Sequence, residues 1–141
     1  MAAGATHSLC LNLLGNAVFS WGRADYGQLG LSDAKPKLGD FEPTPQQVAF
    51  PESMGYVRIS DIAAGSFQSF AVLDNYDVYS WGFNELGTTG HSSSVGDDIR
   101  RPKKIDVLRK YQTQKLIAHV HNIAGGGQHS LMVIKRYLGE S

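Results

Sequence analysis

Four groups of residues in this 141-residue chain carry side chains able to do chemistry. His7-Ser8 and His129-Ser130 set a base beside a hydroxyl, and His119 and His121 stand two apart, as metal ligands can. Asp97-Asp98 is a carboxylate pair, and Arg100, Arg101, Lys103, Lys104, Arg109, Lys110 and Lys115 form a basic run opposed only by Asp106. On a strand, adjacent side chains point to opposite faces, so neither histidine can activate the serine that follows it. No Gly-x-Ser-x-Gly elbow occurs to expose a nucleophile. The two strand histidines lack a spaced carboxylate or cysteine to complete a metal site. The lone Cys10, on an apolar strand, reads as core and excludes an internal disulfide. Gly125-Gly126-Gly127 lacks the Gly-Lys-Ser/Thr ending of a phosphate loop, and Asp97-Asp98 sits in a polar loop and reads as solvated rather than as a calcium site. Binding, without a cofactor, a metal or covalent catalysis, is the expectation.

The basic run matters because the formal net charge is zero. Residues 1–99 hold four Lys/Arg against eleven Asp/Glu, whereas residues 100–141 hold nine against two. Three readings fit: a solvated connecting segment, a patch for DNA or nucleosome phosphates, or a patch for an acidic protein surface. No stretch approaches the roughly 18 apolar residues that cross a bilayer, and no membrane partner is expected.

The elements that position these groups are repeats. Ser20-Trp21-Gly22 with Gly27 and Gly30 returns sixty positions later as Ser80-Trp81-Gly82 with Gly87 and Gly90. A second stretch occurs three times, its glycines Gly4, Gly65 and Gly126 stepping by 61 residues. Such a period marks supersecondary units that bury their faces against neighbours, and the glycines read as turn formers or points of close backbone approach. Period-2 alternation dominates. Leu9, Leu11 and Leu13 describe a strand, Gly15-Asn16 a tight turn and Ala17–Trp21 the return strand. Ser69–Leu73, a turn at Asp74-Asn75-Tyr76 and Asp77–Trp81 repeat the hairpin one residue shorter. Further strands are predicted at Gln47–Phe50, Val57–Ile62, Lys103–Ile105, His119–Ile123 and Ser130–Ile134. Segments 22–46 and 82–102 read as loops, and 106–115 is compatible with a short helix. Tyr79 and Trp81 share one strand face and are expected to pack between sheets. The fold class is all-β, built of four-stranded antiparallel sheets arranged as propeller blades.

A small residue, Gly-x-x-His-Ser, then Val-Phe/Tyr-Ser-Trp-Gly, then Gly-x-Leu-Gly and a proline before the closing strand resembles the repeat of the regulator of chromosome condensation family. Residues 22–31 and Gly126-Gly127-Gln128-His129-Ser130 carry the resemblance furthest, and it covers nearly the whole chain. It implies a seven-bladed β-propeller of which this chain supplies about two blades and the start of a third: repeats at about 2–62 and 63–123, and a partial one at 124–141. An open fragment exposes sheet faces and edges, so the remaining blades, or further copies of the chain, are expected partners. The ending, residues 134–141, resembles a carboxyl terminus of the family, which would set the missing blades ahead of Met1. The activity implied is guanine nucleotide exchange on the small GTPase Ran, at chromatin and in the nucleus, by stabilising the nucleotide-free GTPase. By motif position His7 and His129 match histidines used toward the GTPase, with Gln68 replacing the histidine of the middle copy; a structural role hydrogen-bonding within the blade is the other reading. The alternative function is a general protein-interaction propeller of ubiquitin-ligase, signalling or ciliary type.

Overall fold

Alternation of small and bulky residues along 18–22 and again along 78–82 makes two strands with one face each for a neighbouring sheet. The computed structural model describes residues 1–31, 41–75, 77–84, 89, 91, 98–105, 116–125 and 130–138, the last two segments by their backbone. Strands β1 (Ala2–Ala3), β2 (His7–Leu11), β3 (Val18–Arg23) and β4 (Phe41–Gln47) form an antiparallel sheet in chain order. After a 3₁₀ turn at Glu52–Met54, β5 (Ile59–Ala64), β6 (Gln68–Leu73), β7 (Val78–Gly82) and β8 (Ile99–Lys104) build the same sheet again. A third sheet pairs β9 (Leu116–Gly125) with β10 (Ser130–Leu138).

Register confirms the repeat at atomic level. Ser8 faces Trp21 across the first hairpin, and Ser69 faces Trp81 across the second. The entry turns close alike, Gly4 N–H donating to the His7 carbonyl at 2.8 Å and Gly65 N–H to that of Gln68 at 2.9 Å.

Three strand expectations shift, each for a local reason. The first hairpin strand stops at Leu11 rather than running through Leu13, because the Asn12 side-chain oxygen accepts from the Asn16 and Ala17 N–H groups and starts the turn early. Leu13 is left 98% exposed. The strand expected at Val57–Ile62 is Ile59–Ala64 and belongs with the second sheet, hydrogen-bonded to β6. Finally, the fourth strands begin earlier than predicted, at Phe41 and Ile99, inside stretches read as loops. Pro43, Pro45 and Pro102 obscure them, and proline is tolerated there because β4 and β8 each have only one hydrogen-bonded neighbour. The possible helix at 106–115 lies outside the described residues.

Packing follows the period-2 pattern. Ala71, Leu73, Tyr79 and Trp81 of the second sheet join Leu9, Val18 and Val48 of the first in one buried cluster. A bulge between Ile59 and Asp61 lets Ile59 and Ile62, three apart, reach that same cluster. Phe70, Val72 and Val78, one residue out of phase, form a second cluster on the opposite face with Ile105, the side on which β9 approaches.

Trp81 is wholly buried at the seam between the first two sheets, edge-on to Phe50 with ring centroids 5.7 Å apart. Gly30, at the end of the first sheet's Gly-x-Leu-Gly turn, makes room for it: a Cβ there would lie 2.7 Å from the indole nitrogen. Its counterpart Trp21 is only half-buried, on the face of the first sheet turned away from the second. Trp81→Ala is expected to cost about 3–5 kcal/mol and Trp21→Ala far less, measured by urea unfolding of the purified chain; equal losses would refute the placement of Trp81 at the seam.

Candidate functional site

The β1–β2 turn delivers His7 into the seam as the first residue of its strand, because the turn's glycine lets the two sheets approach there. A Cβ on Gly4 would stand 2.0 Å from the Gly65 carbonyl oxygen, so repeat-equivalent backbones touch at this end. Thr6 Oγ1 donates across the same gap to the Ser66 carbonyl at 2.5 Å. His7 is 3% exposed, and its Nε2 lies 2.7 Å from Ser69 Oγ of the second sheet. Ser69 gives its only hydroxyl proton to the Gln28 carbonyl, also at 2.7 Å, so His7 Nε2 carries the hydrogen and donates to the serine. A histidine of one repeat, a serine of the next and the Gly-x-Leu-Gly turn of the first are thereby fastened in one buried chain. Burial pushes the imidazole pKa down to about 4, against a smaller opposing effect of the backbone at Gln68. His7 is neutral in the folded protein at pH 7, and its burial leaves no ring edge at the surface.

Other polar links recur with the repeat. Ser20 Oγ donates to the Leu29 carbonyl at 2.7 Å, and Ser80 Oγ donates to that of Thr89 at 2.6 Å. His91 Nε2 approaches Ser80 Oγ at 2.9 Å, which makes the histidine the donor, and Asn84 binds both Thr89 and the His91 carbonyl. Gln68, at the position of His7 one repeat on, is fully buried, and its Nε2 has no hydrogen-bond partner among the described residues.

Beside the His7 seam, the loop after β3, the β5–β6 turn and the end of β7 bring three half-buried rings together. Tyr26 stands edge-on to Phe67 at 5.2 Å and to Phe83 at 5.1 Å. Asp25 accepts from Arg23 and from Gln28 Nε2, and Arg100 Nη2 donates to the Asp25 carbonyl at 3.3 Å while lying 3.9 Å from the Asp98 carboxylate. An aromatic patch rimmed by both signs of charge can grip a protein surface. Sequence reasoning missed these rings because they sit on three different loops with no common period; the recurrence of serine after His7, Gln68 and His129 was the available signal for the Ser69 partnership.

The described members of the basic run do not form a single cluster. β8 spans the sheet, so Arg100 and Lys104 are about 13 Å apart along it. Arg100 is held at the aromatic end, whereas Lys104 Nζ pairs with Asp77 at 3.2 Å at the hairpin end. Arg101 and Lys103 are exposed. Gly22 and Gly82 lie at the ends of β3 and β7, and Gly27 packs against Arg100. His129, Arg109, Lys110, Gly87, Gly90 and Gly126 lie outside the described residues. Among the described residues no three of His, Cys, Asp and Glu gather where they could hold a metal ion, and no helix is long and apolar enough to cross a membrane.

Stacked four-stranded antiparallel sheets, fastened repeat to repeat by glycine, tryptophan and histidine–serine contacts, define the chain as β-propeller blades. The family model for the regulator of chromosome condensation (RCC1) repeat matches residues 16–72 and 77–133, and the chain belongs to that family. It is 33% identical over 134 residues to Protein RCC1 of Candida albicans, covering 93% of this chain and 27% of that protein. With the E3 ubiquitin-protein ligase HERC2 of Homo sapiens it shares 36% identity over 110 residues, 77% of this chain and 2% of the ligase. The fold superposes with a TM-score of 0.73 and 29% identity on the crystal structure of Prp20p from Saccharomyces cerevisiae, described with its binding to Gsp1p and histones, over 99% of this chain and 31% of Prp20p. The chain thus spans less than a third of the length of each of these relatives.

A pH effect follows from His7. Unfolded, its imidazole takes a proton near pH 6.5; folded, only near pH 4. Between those values the unfolded chain binds the extra proton, so stability falls as pH drops from about 6.5 to 4, by up to about 3 kcal/mol. Replacing the histidine, His7→Gln, is expected to remove this part of the slope in denaturant unfolding at pH 7.5, 5.5 and 4.5; an unchanged slope would show that His7 is not the group being titrated.

Proposed function

We propose that the chain is the carboxyl-terminal part of a chromatin-associated, nuclear guanine nucleotide exchange factor for Ran, which works by stabilising the nucleotide-free GTPase. The observation that carries this reading is similarity to Protein RCC1 over 93% of the chain. The Prp20p structure, described with its binding to Gsp1p and histones, supports the same kinds of partner, a small GTPase and nucleosomes. In this reading the end of the sheets bearing Tyr26, Phe67 and Phe83 faces the GTPase. His129 is the candidate for direct contact, and His7, buried beneath that end, holds two blades in register so that their loops present one surface. Exchange then requires no covalent step: the partner's empty state is bound more tightly than its nucleotide-loaded state.

The test is binding to Ran of the chain with the remaining blades of the propeller restored. Nucleotide-free Ran is expected to bind at least about tenfold more tightly than Ran·GDP, a difference of roughly 1.4 kcal/mol. Equal binding, or none, removes the exchange reading and leaves a general interaction propeller, the reading favoured by the 36% identity to HERC2.

Chromatin attachment is assigned in the same reading to phosphate contacts from Arg100, Arg101, Lys103, Lys104, Arg109 and Lys110. Each lost contact should lower the slope of log affinity against log salt by about 1. The triple variant Arg101→Ala, Arg109→Ala, Lys110→Ala is therefore expected to flatten duplex-DNA binding by roughly 2–3 in slope; an unchanged slope would show these side chains are merely solvated.

A further inference from the structure

The outer edge of the first sheet carries a threonine that neither GTPase nor DNA binding uses. Thr44 lies in β4 between Pro43 and Pro45, and Thr44-Pro45 is the one place in the 141 residues where a serine or threonine precedes a proline. β4 is hydrogen-bonded on one side only, and its pairing with β3 has a gap: Glu42 stands opposite Gly22 and Gln46 opposite Ser20, whereas Pro43, Thr44 and Pro45 have no partner in β3. Neither proline has an N–H to give to a ladder. All three residues are exposed.

The segment stays extended without the ladder, because each proline fixes its own φ and holds the residue before it in the extended region. The hydroxyl is placed as well. Gln46 Nε2 donates to Thr44 Oγ1 at 3.0 Å, and among the described residues nothing accepts the hydroxyl hydrogen. Residues 39–43 hold no Lys or Arg and residues 45–50 no Asp or Glu, so neither upstream basic nor downstream acidic residues mark this threonine. Proline is its distinguishing neighbour.

We propose that Thr44 is the phosphate acceptor for a proline-directed protein kinase. A substrate pocket that offers no acceptor to the amide following the hydroxyl residue selects proline, which has no N–H to leave unmet. Thr44 Oγ1 attacks the γ-phosphorus of ATP, the bond from that phosphorus to the oxygen bridging the β-phosphate breaks, and ADP leaves with the electron pair. The hydroxyl proton passes to the aspartate of the kinase's catalytic loop. Residues 43–50 contain no ionisable side chain, so the phosphate, about −1.5 to −2 at pH 7, sets charge where this stretch has none. On an edge strand, charge opposes pairing with a strand of another chain.

The test incubates the folded 141-residue chain with ATP, Mg²⁺ and a purified proline-directed kinase of the mitogen-activated class, and locates the phosphate by tandem mass spectrometry. A single phosphate on Thr44 is expected, added at a rate within about tenfold of that for a free peptide of residues 41–50, since the sheet need not open. Thr44→Ala is expected to abolish incorporation and Thr44→Ser to retain it. Pro45→Ala keeps the hydroxyl and is expected to slow the reaction about tenfold or more. Thermal unfolding of the three variants verifies that the fold is retained. Phosphate on a different residue, no incorporation under conditions that label the peptide, an unchanged rate for Pro45→Ala, or a rate that climbs steeply in sub-denaturing urea would each overturn the proposal.

Discussion

A four-stranded sheet has two faces and can bury neither by itself, so everything in this chain depends on how the seam between the first and second sheets is filled. Trp81 fills it, and Gly30 is what makes the filling possible. The indole takes the space that a side chain at residue 30 would occupy, and the aliphatic residues of both sheets close around it. The position of Gly30 is in turn set by its turn, whose Gln28 side chain accepts from Tyr26 N–H and donates to Asp25, and whose Gln28 carbonyl receives Ser69. Loop and core are thus one arrangement: shifting the indole would move the Gln28 carbonyl away from Ser69, and with it the aromatic patch built on Tyr26.

His7 shows how the same seam governs the polar residues. A histidine in water titrates near pH 6.5. Here the approach of Gly4 to Gly65 brings the second sheet over the ring, removes the solvent that would stabilise its charge, and leaves Ser69 as acceptor of its one proton. The repeat position that attracts notice as a contact residue is, in this copy, an internal fastening between blades. What the fastening presents at this end is three rings and a rim of Arg23, Asp25, Asp98 and Arg100.

How much was legible in the sequence can be argued from individual residues. Alternation exposed β2, β3, β6 and β7, and it set Tyr79 and Trp81 on the face that packs against the first sheet, because an apolar side chain every second residue has only one way to be buried in a strand. β4 and β8 were legible only at their last residues for the converse reason: as edge strands they tolerate prolines and charged residues, so most of Phe41–Gln47 and Ile99–Lys104 read as loop although they hydrogen-bond to β3 and β7. The Tyr26, Phe67 and Phe83 cluster is a product of stacking two sheets and has no signature within either. The basic run was visible as composition, but its division between two ends of β8 depends on strand direction and on where Asp25, Asp98 and Asp77 fall in space.

The polarity of the seam also constrains assembly. The first sheet contributes His7 and the glycine turn, while the second contributes Ser69 and Trp81, so the two surfaces in contact are different surfaces of the same repeat. Such heterologous contacts do not limit themselves to a pair: they close as a ring or continue as an open stack. Trp21, on the outward face of the first sheet, stands where Trp81 stands in the second but is only half-buried. Gln68 presents a buried amide, without a partner among the described residues, where His7 presents its ring to Ser69. A ring is one of the two outcomes that this head-to-tail contact allows, and it is the one that leaves no blade face uncovered.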